Sequence, residues 1–317
     1  MTAPYGQQQA DEALAYEHRA ADQVTAQPQA QVNAALAAIT AAYILAAGTT
    51  IATLPAGAVS GFRATVVRAL SRLRWEVAPA LRRQALTGWT LGVTQAQRIT
   101  GPVRVPTDLS PELLAAIRDV DINAAQDLRE AVLAAQVLPV DSYPRVVTVT
   151  AKASGAVRRV EATTRWVANK AVNEGSAAVA EAHGVSRILV TEVGACLTCL
   201  AYAGHVVGPG ELFPAGLTFG DYSTVKEPFT APPLHPHCRC HAEPYLGHSP
   251  SFGVSLPNTL QREALRQVAL GRSQYASEPA RVRAADRLLH TPTSLPDIVK
   301  IRARRAVQAG RFPRRQP

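Results

Sequence analysis

The stretch Arg187–Tyr245 reads RILVTEVGACLTCLAYAGHVVGPGELFPAGLTFGDYSTVKEPFTAPPLHPHCRCHAEPY, and it holds all four cysteines of a 317-residue chain. They form a Cys-x-x-Cys pair, Cys196 and Cys199, and a Cys-x-Cys pair, Cys238 and Cys240, with His235, His237 and His241 alongside the second. Thiolates and imidazoles at such spacings favour a tetrahedral zinc-type site, because two intervening residues let one turn present both sulfurs to one ion. Between the pairs lie glycines, prolines and short β-prone pieces such as His205-Val206-Val207, so a hairpin-like, loop-rich lobe is expected. A lobe of that size has too small a core to stand alone, which gives a metal or covalent staple a structural task.

Outward from the lobe the pattern is helical. Hydrophobic residues make up 47% of the chain and aromatics only 5%, so Ala, Val and Leu carry the apolar share, as in packed helices. The fold class read from this is mostly α: a helical N-terminal region at 1–138, a small α+β metal-stapled lobe at 151–245 and a basic helical extension at 258–317. Asp11 to Thr25 reads as one helix after a frayed Met1–Gln9, and Pro28 as the start of another that closes at Gly48. Phe62, Val66, Leu70, Leu73, Val77 and Leu81 recur at helical steps, with Pro79 predicting a kink or break. Arg63, Arg68, Arg72, Arg82 and Arg83 form a basic stripe opposite them. After the connector Gly101–Thr107, Ser110-Pro111-Glu112 is a capped helix start followed by Leu113, Ile117, Val120, Ala124, Leu128 and Val132. Leu138–Thr150, with two prolines and a β-branched run, reads as a linker ending in a short strand. A helix follows over about Gly155–His183, soft at Gly175 and stopped at Gly184, and then a strand at Ile188-Leu189-Val190. Beyond the linker Gly247–Asn258, three helices are expected around Leu260–Val268, Val282–Leu289 and Leu295–Ala309. The basic end carries Lys300, Arg302, Arg304, Arg305, Arg311, Arg314 and Arg315 against Asp297.

A net charge of +9 points to acidic partners, nucleic acid among them, although dispersed arginines are also ordinary solvated surface. Met1–Ala20 contains Asp11, Glu12 and Glu17 and no apolar core, so it does not read as a secretory signal. Ala34–Leu54 has the length of a membrane span, but its Ala and Thr content and the Gly48 stop favour a buried helix, and no membrane contact is expected.

Three chemistries fit the cysteines. Cys196, Cys199, Cys238 and either His235 or Cys240 could hold a structural zinc. Two disulfides are allowed by the even count but disfavoured without a secretory signal. A catalytic site is the third. His241-Ala242-Glu243 looks like the His-x-Glu of zinc deaminases, yet no cysteine pair follows it, which excludes that enzyme. No phosphate loop, His-Glu-x-x-His helix or Gly-x-Ser-x-Gly elbow is present. A metal-dependent nuclease or toxin-like enzyme acting on nucleic acid would need His205, Asp221, His235 and His237 to gather at one ion.

The order of residues from Arg165 through Asn173-Glu174-Gly175, Gly184, the short strand, Cys196-x-x-Cys199 and Pro232-Pro233-Leu234-His235-Pro236-His237-Cys238-Arg239-Cys240 resembles the Mu F-like phage head morphogenesis domain. The resemblance covers Ala151–Tyr245 and rests most on the Pro-Pro-x-His-Pro-x-Cys-Arg-Cys string. It implies a non-enzymatic minor capsid protein of a tailed bacteriophage, located in the virion at the capsid interior or portal vertex. Its partners would be portal and capsid proteins, and packaged DNA through Arg-rich surfaces. The metal ligands carried over by this resemblance are Cys196, Cys199, His235, Cys238 and Cys240. Gly194-Ala195 and Ala203-Gly204-His205 depart from the acidic residues more usual in the family.

Overall fold

A computed structural model of the chain describes residues 5–236, 238–247 and 255–313. Outside them lie residues 1–4, His237, most of the linker read at Gly247–Asn258, and Arg314 and Arg315; of the start read as frayed, residues 5–9 are helical instead. The described residues are mostly helical, with one three-stranded sheet, as the composition predicts.

The first helix, α1 (Tyr5–Ala47), runs straight through Pro28. The sequence reading placed a new start there, and the burial pattern explains the difference. Ala13, Tyr16, Ala20, Ala21, Val24, Pro28, Val32, Ile39 and Tyr43 form one buried stripe, so the proline sits in register on the packed face. A proline inside a helix costs about 3 kcal/mol, a cost that continuous packing along such a stripe can offset. The helix ends at the expected place, with Gly48 at φ 80°. The buried-helix reading of Ala34–Leu54 does not hold. The most apolar 18-residue window of this helix has mean hydropathy 1.6 and is only 17% buried. Ile39 and Tyr43 face inward, whereas Leu45 is 89% exposed. By length and composition the helix would pass as a membrane span, as soluble core helices also do.

Helices α2 (Ala56–Ser71) and α3 (Ala78–Thr100) replace the single interrupted pattern of the sequence. Phe62, Val66, Leu70, Leu73, Val77 and Leu81 are all buried although the helix breaks between them, and Pro79 occupies the first turn of α3. The Asp121 carboxylate, from α4 (Pro111–Val137), accepts from Val77 N at 2.8 Å and Ala78 N at 3.3 Å and so satisfies free amides at the start of α3. The break leaves Arg63 and Arg68 on α2, Arg72 at its C-cap and Arg82 and Arg83 on α3, so the five are not one helical stripe. Ser110 caps α4 as expected, its Oγ accepting from Leu113 N.

Helix α5 (Tyr143–Ala182) begins twelve residues before the expected Gly155 and absorbs the β-branched run read as a strand. Val146, Val149, Ala153, Ala156, Val157 and Val160 are buried at helical spacing, and the Thr148 and Thr150 hydroxyls donate to Pro144 O and Val146 O. Burial of a helical face overrides a β preference of at most about 1 kcal/mol per residue. Gly184, at φ 62°, stops the helix, with Val185 N bonded to Ala180 O.

The contacts group the chain into two units: Met1–Tyr16, Leu86–Leu109 and Asn169–Pro317 in one, Glu17–Ala85 and Ser110–Ala168 in the other. These do not follow the consecutive regions 1–138, 151–245 and 258–317, because α1, α3 and α5 each contribute to both units. Within the first unit β1 (Ser186–Val190) pairs antiparallel with β2 (Val206–Val207) and β3 (His241–Tyr245), in the order β2-β1-β3. The first two strands were legible in the sequence; β3 was not. Leu189, Leu200, Tyr202 and Phe213 from the lobe share a core with Val268 of α7 (Leu256–Ala269), Leu288 of α8 (Glu278–Leu289) and Val299 of α9 (Asp297–Gln308). The lobe and the C-terminal helices therefore bury one another.

Also in this unit, α3 and the end of α5 touch backbone to backbone. A Cβ at Gly92 would lie 1.9 Å from Val172 O, and one at Gly175 would lie 2.3 Å from Trp89 O. Gly175, read as a soft point, is a close-contact residue. Gly155 has nothing within 4 Å of its would-be Cβ. Gly92→Ala or Gly175→Ala should therefore lower stability by about 1–3 kcal/mol, whereas Gly155→Ala should raise it by about 0.5–1 kcal/mol. Urea denaturation of the three variants checks this; equal effects would show that the close contact does not govern stability.

Candidate metal centre

Each donor is placed by a different local device. Cys196 is the N-cap of the short helix α6 (Leu197–Tyr202), its sulfur accepting from Cys199 N at 3.3 Å. One turn of helix thus points both sulfurs the same way. His235 and Cys238 are joined by a turn in which Cys238 N bonds His235 O at 2.9 Å. Cys240 immediately precedes β3. The long intervening loop is closed by Phe213 and Phe229, which exchange both backbone hydrogen bonds and stack at 5.2 Å. The Tyr202 hydroxyl donates to Pro214 O at 2.7 Å.

Strand β3 is anchored by residues that the sequence reading did not single out as supports of the site. Asn173 donates to Cys240 O at 3.2 Å and accepts from Ala242 N at 2.8 Å, and Ser176 donates to Ala242 O at 2.9 Å. Gln267 accepts from Gly194 N at 2.7 Å, holding the turn before Cys196. Arg187 donates to Thr230 O and Glu211 O and lies 5.8 Å over the Phe213 ring. Burial lowers its pKa. Only the Asn173-Glu174-Gly175 string hinted at any of this.

The five carried-over donors come together. The His235 Nε2 lies 3.2 Å from the sulfurs of both Cys196 and Cys199, and the Cys199 sulfur lies 3.7 Å from that of Cys238. Two overlapping groups, Cys196–Cys199–His235 and Cys199–Cys238–Cys240, each keep their donor atoms within 4.8 Å of one another, so the cluster could hold a metal ion. Cys199 belongs to both. None of the four cysteines is joined in a disulfide.

The electrostatics suit a cation. Cys196 falls to about 5, drawn down by hydrogen bonding to Cys199 and then by His235. Cys238 is lowered despite complete burial, through Cys199, Cys240 and the charge of His235. Cys199 is raised by its bond to Cys196 and then by Cys238 and Cys240. Cys240 is also raised: its bond to Cys199 pulls the other way, but Cys238 and burial prevail. Burial opposes protonation of His235, but the neighbouring thiolates raise its pKa. Two thiols with lowered pKa values thus sit beside two with raised ones and a histidine whose pKa is raised, an arrangement in which a metal ion would replace protons.

Of the nuclease set, His237 lies outside the described residues, and His205 and Asp221 do not join His235. Asp221 pairs with Arg283 and Arg287, each at 2.7 Å, and is held near 2 by them. His205 packs beside Tyr202, with its Nδ1 buried and unpartnered. Neither belongs to a donor group among the described residues. No protein-family model, curated protein or solved structure matches this chain.

His241 and Glu243, rejected as a deaminase pair, are buried in β3. Burial lowers His241 to about 4 and raises Glu243 to about 7, and Glu243 Oε1 has no hydrogen-bond partner. The folded protein therefore holds the Glu243 proton more tightly than the unfolded chain does. That contribution to stability is complete below the unfolded value of about 4.5 and is lost as pH rises through about 7, in all about 3 kcal/mol. Urea melts of Glu243→Gln and the parent should show the variant gaining about that amount relative to the parent between pH 4.5 and pH 8. A pH-independent difference would mean that Glu243 finds a partner in solution.

Proposed function

We propose that this chain is a minor capsid, head-morphogenesis protein of a tailed bacteriophage that acts by binding at the portal vertex. The supporting observation is the convergence of the two halves of the resembling motif. Cys196-x-x-Cys199 and the His235-Pro-x-Cys-Arg-Cys string are separated by a long loop, yet His235 meets both sulfurs of the first pair. In this reading the cluster is a clasp, and the function lies in the surfaces that it holds in place.

The ion that suits the clasp is zinc. Zinc–sulfur bonds of about 2.3 Å give a tetrahedral sulfur–sulfur edge of about 3.8 Å, and the Cys199–Cys238 separation is 3.7 Å. Cys196, Cys199, Cys238 and either His235 or Cys240 supply four soft donors of the right kind. Zinc bound there contributes folding energy, while Asn173, Ser176 and Gln267 hold the backbone that carries the ligands.

Purified protein should contain about one zinc per chain, and Cys199→Ala, which removes the sulfur common to both donor groups, should lose it and melt at lower temperature. Elemental analysis with thermal melts before and after chelation measures both effects. A metal-free parent with unchanged melting would remove the clasp. For the assembly role, mass spectrometry of mature particles should find the chain in few copies and affinity capture should recover it with the portal protein. Absence from particles and from portal complexes would overturn the role. DNA cleavage lost in a Cys199→Ala protein that still folds would replace it with a nuclease.

A further inference from the structure

Several arginines of the first unit have partners, while Arg104, Arg262 and Arg272 stand singly without one among the described residues. Arg98 meets Glu12, Arg239 meets Glu192, Arg266 meets Glu263, Arg281 donates to Gly271 O, and Arg283 and Arg287 share Asp221. Helix α9 is different. Lys300, Arg302, Arg304 and Arg305 lie within six residues of one another, Arg311 follows, and none of these side chains has a hydrogen bond or ion pair among the described residues. The three α9 arginines and Arg311 are exposed.

The acids on the helices packed beside α9 contact other groups and not its cations. Helix α8 offers Glu278, which accepts from Phe312 N, and Asp286, which lies 3.7 Å from His290. Helix α7 offers Glu263, which is paired with Arg266. Within α9 the single acid is Asp297 in the first turn. Four unpaired basic groups in six residues, with Arg311 after them, thus share α9 and its end with one acid, whereas the other unpaired arginines of the unit are isolated along the chain.

We propose that the exposed face of α9 binds the backbone phosphates of duplex nucleic acid. Guanidinium groups dominate over the single lysine, and their planar forks match phosphate oxygens in pairs. A helix of twelve residues is about 18 Å long, enough to lie against several phosphates. An anionic bilayer is the poorer fit. A helix that lies in a membrane surface needs its apolar face free, and the Val299–Ala303–Ala306 face of α9 is buried in the protein. Only Ile298 and Ile301 remain exposed among the arginines. As a statement about packaged DNA the inference rests on the portal-vertex reading; as a statement about phosphate binding it does not.

The test is fluorescence anisotropy of a labelled 30-base-pair duplex of arbitrary sequence with the full chain, across a salt series, as about that length exceeds the helix's reach. The comparison is between the parent, an Arg302→Gln/Arg304→Gln/Arg305→Gln triple variant, and an Arg68→Gln/Arg72→Gln/Arg82→Gln triple of equal charge loss. The α9 variant should bind at least about tenfold more weakly, with the slope of log affinity against log salt reduced by about 2–3, while the control changes little. Circular dichroism melts confirm that both variants fold; if the α9 triple does not, single Gln variants carry the comparison, each reducing the slope by about 1. The inference is overturned if the parent fails to bind at low salt, if both triples weaken binding equally, or if phosphatidylserine vesicles are bound and the duplex is not. Duplex binding by a chain absent from phage particles would sink the assembly role and leave this surface standing.

Discussion

The Cys199 sulfur is where the lobe closes. It sits one helical turn from Cys196, within 3.2 Å of the His235 ring and 3.7 Å from Cys238, so two distant stretches of chain meet at one atom. Closing a loop of that length costs entropy, and the segment between has little regular structure to offset it. The Phe213–Phe229 bridge and the Tyr202 hydroxyl shorten the loop from within, and Arg187 pins its carbonyls from beneath. Soft donors at the mouth finish a closure that aromatic packing begins.

The same lobe leans on its surroundings. The three strands offer too little apolar surface for a core of their own, and α7, α8 and α9 supply the rest. On the other side Asn173 and Ser176 hydrogen-bond β3, so the strand next to Cys240 is held by a helix that begins far earlier in the chain. A buried carboxyl at Glu243 with an unpartnered oxygen is tolerated in this strand, at the cost of a raised pKa.

Charge follows a comparable division. Arginines near acids are consumed by them, as Asp221 consumes Arg283 and Arg287. The arginines of α9 have no such pairing among the described residues, and a count of charges along the chain does not separate the two kinds. Net charge is a property of composition, whereas an available cation is a property of what folds beside it.

Much of the protein was legible beforehand. The helical periodicity marked Phe62 to Leu81 and Leu113 to Leu128 as buried faces, Ser110 announced a cap, Gly48 and Gly184 announced stops, and the spacing of cysteines and His235 announced a cluster of soft ligands. These are local properties: periodicity, capping and left-handed glycine conformations depend on a few neighbouring residues. The continuity of α1 through Pro28, the helical state of Val146–Thr150, the exposure of Leu45 and the pairing of β3 were not legible. Each depends on what another segment presses against, or leaves uncovered. Residue order therefore determined which donors exist and how they are spaced. The tertiary structure alone decided that they share one site, because bringing residues from separate stretches within 4 Å is the work of packing between distant segments.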